Sequence, residues 1–85
     1  MRDFKAQVDS ISSKEDFTKF LGSLLEDLQS DRSSWENNTL DEYLDGIKSW
    51  TEDMDGYYIN MGKPIPEDVN WRVFAEILTA ATRYE

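Results

Sequence analysis

The chain has 85 residues, no cysteine and no histidine, and 18 acidic against 9 basic side chains, a formal charge of −9 at pH 7. That length holds one domain, residues 1–85, and the composition removes disulfides, thiolate or imidazole metal ligands, and Cys or His catalysis. The charge disfavours nucleic acid and anionic membrane as partners and favours a basic protein.

The first dozen residues fit two patterns. Phe4, Val8 and Ile11 suit a helix, whereas Phe4, Ala6 and Val8 suit a strand. The opening MRDFKAQVDS lacks the apolar centre of a signal peptide. No apolar run approaches the ~18–20 residues of a membrane span, so the expected address is the cytoplasm.

A first helix is predicted from about Lys14 to Ser30. Ser12 with Glu15 and Ser13 with Asp16 both fit the capping box, in which a serine hydroxyl accepts from an orphan amide of the first turn. Phe17, Phe20, Leu21, Leu24, Leu25 and Leu28 then cover an arc of roughly 140°, one core-facing stripe. The connection Ser30 to Asn38 carries Trp35, which is either an anchor under the bundle or a contact residue.

A second helix is predicted from about Leu40 to Tyr58, with Thr39 and Glu42 as its capping box. Leu40, Leu44, Ile47, Met54 and Tyr58 form its apolar stripe, and Tyr43, Trp50 and Tyr57 form a row at i, i+7, i+14 along one edge. The opposite face carries Asp41, Glu42, Asp45, Glu52, Asp53 and Asp55, with Lys48 as its cation. Gly46 costs the helix ~1 kcal/mol, and Gly56 is placed to help end it. The turn Asn60 to Pro66 follows, with Gly62 supplying positive φ.

A third helix runs to about Arg83 and starts between Glu67 and Trp71, with Pro66 at a first helical position or Asn70 as N-cap. Trp71, Phe74, Ala75, Leu78 and Ala81 form one face; Val73, Ile77, Ala80 and Tyr84 form a second. A helix apolar on that much of its circumference is either central to the bundle or covered by another chain. The fold expected is therefore all-α, a small bundle of three main helices, with a short fourth N-terminal element as an option.

No catalytic or metal-binding set emerges. Asp53-Met54-Asp55-Gly56 looks like part of a calcium loop, but the first ligand position and the Glu position six past the glycine hold Thr51 and Gly62. Glu52 and Asp55 share a helical face, which reads as solvated acid rather than a cation site. No phosphate-binding, dinucleotide or nucleophile-elbow motif is present. A three-helix domain rarely holds a pocket of ~300 Å³. No cofactor is expected, and no enzyme activity.

Trp35-Glu36-Asn37, Thr39-Leu40, Tyr43-Leu44, Trp50, Asp53-Met54-Asp55-Gly56-Tyr57-Tyr58, Pro66, Trp71, Ala75 and Tyr84-Glu85 resemble a family of short acidic bacterial proteins of unknown function, over roughly Ser13 to Glu85. The resemblance implies a bacterial, soluble, free-standing domain and brings no site residues with it.

The function expected is a non-catalytic protein–protein interaction module for a basic partner, analogous to immunity proteins that neutralise a basic toxin. Tyr43, Trp50 and Tyr57, bordered by Glu42 and Asp53, are the candidate contact residues, because aromatics beside carboxylates suit Lys and Arg. The alternatives are a homodimer or other homo-oligomer covering Val73, Ile77 and Tyr84, or a mimic of nucleic-acid charge. A carboxylate hydrolase is the least favoured.

Overall fold

The computed structural model of the chain describes residues 1–84. Four α-helices follow in order: α1 (Lys5–Asp9), α2 (Lys14–Ser30), α3 (Leu40–Asn60) and α4 (Trp71–Ala81), with a short 3-10 turn, Arg32–Ser34, between α2 and α3. The N-terminal segment takes the helical alternative. Phe4, Val8 and Ile11 are all buried, as one face of a helical turn requires.

Side chains fix the helix starts. Ser13 Oγ accepts the Asp16 amide at 3.1 Å, and the Ser12 amide donates to the Asp16 carboxylate at 3.0 Å, so the two serines share one cap. Backbone donation from Ser12 holds the Asp16 carboxyl below the usual range, with the hydroxyls of Ser13 and Ser12 adding to it. Thr39 accepts the Glu42 amide at the start of α3. Asn70 Oδ1 accepts the Val73 amide at 2.8 Å, which starts α4 at Trp71 rather than after Pro66. Helix α3 runs through Gly56 and stops at Gly62, where φ is +69°. There the Lys63 amide bonds Tyr58 O at 2.9 Å and the Gly62 amide bonds Ile59 O at 3.1 Å, a Schellman closure.

Helix α4 is central. Its Ala75 and Leu78 face packs with Phe4, Val8, Ile11, Phe17, Phe20 and Leu24 of the N-terminal half. Its Val73, Ile77 and Ala80 face packs on Trp50 and Tyr58, with Ile47 and Met54, of α3. Most of the apolar surface of α4 is thus covered within the chain, while Trp71 and Phe74 near its start stay 41 % and 40 % exposed. Val73 and Ile77, expected as a face for a second copy, are 2 % and 7 % exposed and held by α3; the third residue of that set, Tyr84, packs against the same cluster.

The Trp35-Glu36-Asn37 stretch ties the halves together. Trp35 is buried, and its Nε1–H donates to Asp27 Oδ2 at 2.7 Å, while Asp27 Oδ1 accepts the Arg2 amide at 3.1 Å. Asn37 Nδ2 donates to Ala81 O at 2.9 Å and Tyr84 O at 2.7 Å, and its amide donates to Thr82 O at 2.8 Å. These satisfy orphan carbonyls at the end of α4. The same spot explains Gly46: a Cβ there would lie 2.5 Å from Ala81 O and 2.9 Å from Asn37 Nδ2. The glycine lets α3 approach the end of α4, a reason its spacing in sequence does not reveal.

Candidate functional site

The apolar stripes are only partly buried. On α2, Phe17, Phe20 and Leu24 face inward, but Leu21 and Leu25 are 40 % and 54 % exposed. On α3, Leu40 and Leu44 are 71 % and 55 % exposed. Both helices pack chiefly on α4. They therefore leave an open groove of about 460 Å³ between them, wider than a bundle of this size was expected to hold. Leu21, Leu25 and Leu28 line its α2 side, Thr39 and Leu40 its α3 side, and Leu24, Trp35, Tyr43 and Leu78 contribute the rest of its apolar lining.

Arg32, its guanidinium donating to Asn38 O at 2.7 Å, lines this groove at one point, and acids lie along its α3 edge. Asp41 and Asp45 flank the Leu40–Leu44 edge on the α3 helical surface, with Glu42 at its N-terminal end, and all three are exposed. None of the three has a cation within 4.0 Å among the described residues, whereas Lys48 pairs with Glu52 at 2.8 Å. At that end of α2 the nearest stripe neighbours are Thr18, Gly22 and Gln29, which carry no charge.

The five residues expected to form one contact surface are distributed over three places. Tyr43 lines the leucine groove; its hydroxyl donates to Leu78 O at 2.8 Å, and burial pushes its pKa up to about 12. Glu42 sits at the α3 cap, with Thr39 Oγ1 3.0 Å from its carboxylate. Asp53 accepts the Tyr84 hydroxyl at 2.5 Å, a bond that raises the phenol's pKa. Trp50 is buried, and Tyr57 packs on it with ring centroids 5.6 Å apart. These two rings line a second groove, also about 460 Å³, between α1, α3 and the end of α4. The sequence row thus points one aromatic into one groove and two into another. The exposed leucines were missed as site residues because, at helical spacing, they read as core.

At the neighbouring Tyr58 the chemistry is structural. Tyr58 is buried and donates to Glu76 Oε1 at 3.1 Å; burial first, then the neighbouring carboxylate, raises its pKa. Among the described residues no group of three or more acidic side chains is arranged to hold a metal ion. No helix among them is long and apolar enough to cross a membrane.

Residues 13–85 are matched by DUF7660, a family of unknown function. No curated protein and no solved structure matches the chain.

Proposed function

The chain belongs to the DUF7660 family, and we propose that it is a non-catalytic interaction module of the bacterial cytoplasm, whose leucine groove receives an amphipathic helix carrying basic residues along one flank. The observation that supports this most is the exposure of Leu21, Leu25 and Leu40 around an apolar groove whose α3 edge is acidic, with Leu44 exposed one turn further along α3. Burying each of these half-exposed leucines contributes about 1 kcal/mol, so the groove alone gives weak binding. Attraction between Asp41, Glu42, Asp45 and a basic flank raises both the association rate and the selectivity. A second copy is a poor occupant, because two chains of charge −9 would bring like charges together at this edge.

The test uses a synthetic amphipathic helix of about 18 residues, ~27 Å long, with leucines on one face and lysines beside them. Amide shifts are followed by nuclear magnetic resonance against peptides with glutamates in place of the lysines. The reading requires shifts on the facing sides of α2 and α3, loss of binding in Leu25→Glu and Leu40→Glu, and weakening as salt rises from about 0.05 to about 0.5 M. Equal binding of the glutamate peptide, or binding indifferent to both leucine variants, overturns it.

A further inference from the structure

The groove that Trp50 and Tyr57 line has the opposite electrostatic character from the rest of the molecule. Arg2, Lys5, Lys63 and Arg83 border it, four of the nine cations in the chain, against Asp3, Asp9 and Glu76 from its 18 acids. Those three carboxylates are already engaged. Asp3 Oδ1 accepts the Lys5 amide at 2.9 Å, Asp9 pairs with Lys5 Nζ at 3.0 Å, and Glu76 accepts the Tyr58 hydroxyl and lies 4.0 Å from Arg72 Nε.

Arg2, Lys63 and Arg83 have no carboxylate within 4.0 Å among the described residues. Their neighbours are soft instead: the Arg2 guanidinium carbon lies 4.8 Å from the centre of the Phe4 ring, and Arg83 Nη2 is 3.5 Å from Met1 Sδ. In a chain with twice as many acids as bases, a groove in which three cations make no direct ion pair, although Asp9 lies within reach of the Lys63 charge, has room for an anion from outside. Arginine and lysine heads suit a phosphoryl oxygen set. Tyr57, 37 % exposed against the Trp50 ring, offers a flat apolar wall.

We propose that this groove binds a small organic phosphomonoester with a flat aromatic body, of nucleoside monophosphate size. The volume, about 460 Å³, falls in the range of small-ligand sites. A phosphomonoester carries about −1.5 to −2 charges at pH 7, which the three unpaired cations can match. Longer polyanions are excluded by the same argument: beyond the groove they meet the field of a molecule of net charge −9. Two of the three aromatics that sequence spacing linked to a basic partner, Trp50 and Tyr57, therefore serve an anion.

The test titrates the intact protein with adenosine monophosphate, adenosine and inorganic phosphate at low salt, following the Trp50 indole and the amides of Lys5, Lys63 and Arg83 by nuclear magnetic resonance. The proposal requires saturable shifts at these groups with the nucleotide, and affinity at least about tenfold weaker for adenosine and for phosphate alone. Lys63→Glu and Arg83→Glu, both at exposed positions, must each weaken nucleotide binding about tenfold without shifting thermal unfolding. No saturable shift at millimolar nucleotide, phosphate binding as tightly as the nucleotide, or unchanged affinity in both charge variants overturns it. Leu25→Glu, on the other groove, leaves nucleotide binding unaltered, which separates this site from the helix-docking surface.

Discussion

Replacing Gly46 by alanine sets two physical effects against each other with opposite signs. Helix propensity favours alanine over glycine in a helix interior by about 1 kcal/mol. Packing opposes it, because the new Cβ would lie 2.5 Å from Ala81 O and 2.9 Å from Asn37 Nδ2. The carbonyl belongs to the backbone of α4 and cannot rotate away, so α3 must move outward, and the Asn37 side chain, also too close, must leave its two carbonyl partners. Overpacking of this kind costs about 1–3 kcal/mol. Losing the Asn37 bonds to Ala81 O and Tyr84 O costs about 1 kcal/mol each. The sum less the propensity gain is a net loss of about 2–4 kcal/mol. For a domain of this size that lowers the midpoint of thermal unfolding by roughly 10–25 °C. Gly22 and Gly56 lie in the interiors of α2 and α3, and a methyl group added to either would meet nothing within 4 Å, so Gly22→Ala and Gly56→Ala isolate the propensity effect. Each should gain up to about 1 kcal/mol. Urea and thermal unfolding followed by circular dichroism measure all three. A Gly46→Ala protein as stable as the parent would refute the close approach of α3 to α4.

Three further outcomes follow from the same contacts. Phe4→Ala removes a buried ring set edge-on to Phe20 with centroids 5.8 Å apart, and should cost about 3–5 kcal/mol in urea unfolding; a change under about 1 kcal/mol would detach the N-terminal helix from the core. Trp35→Phe removes the donor to Asp27 together with part of the buried indole, so it should cost at least about 1.5–3 kcal/mol, with Trp35→Phe in an Asp27→Asn background costing less than the sum of the two singles. At alkaline pH, Tyr43 and Tyr58 hold their protons more tightly in the folded chain than in the unfolded one. Because the folded values are raised, this stability is intact below about pH 10 and is lost as pH rises through about 12. Absorbance titration of the phenolates should show Tyr43 and Tyr58 ionising late, and ionisation of both near 10 would contradict their burial.

The strongest local signals in the chain determined its elements. Capping boxes at Ser12 or Ser13 and at Thr39 placed two helix starts, because a cap is a contact within four residues and needs no tertiary partner; for α4 the sequence left Pro66 and Asn70 both open, and the folded chain uses Asn70. The two apolar faces of α4 left a central helix or one covered by another chain as alternatives, and the packing made it central. Periodicity could not say how far each stripe is covered. Phe20 and Leu25 share a helix and a hydrophobic character, yet one is enclosed and the other is half in water, because α2 and α3 both lean on α4 and leave a gap between them. Nor could spacing along α3 decide the charge that Trp50 and Tyr57 would meet. Asp53 and Asp55 lie near them in sequence, but the charged groups that share their groove are the cations at 2, 5, 63 and 83 and the acids at 3, 9 and 76, which only the packing of distant segments brings there. Local hydrogen bonds and apolar rhythm are written in short stretches of chain; which surfaces stay open, and with what sign, depends on segments far apart in sequence, and so it was settled by the packing of the helices.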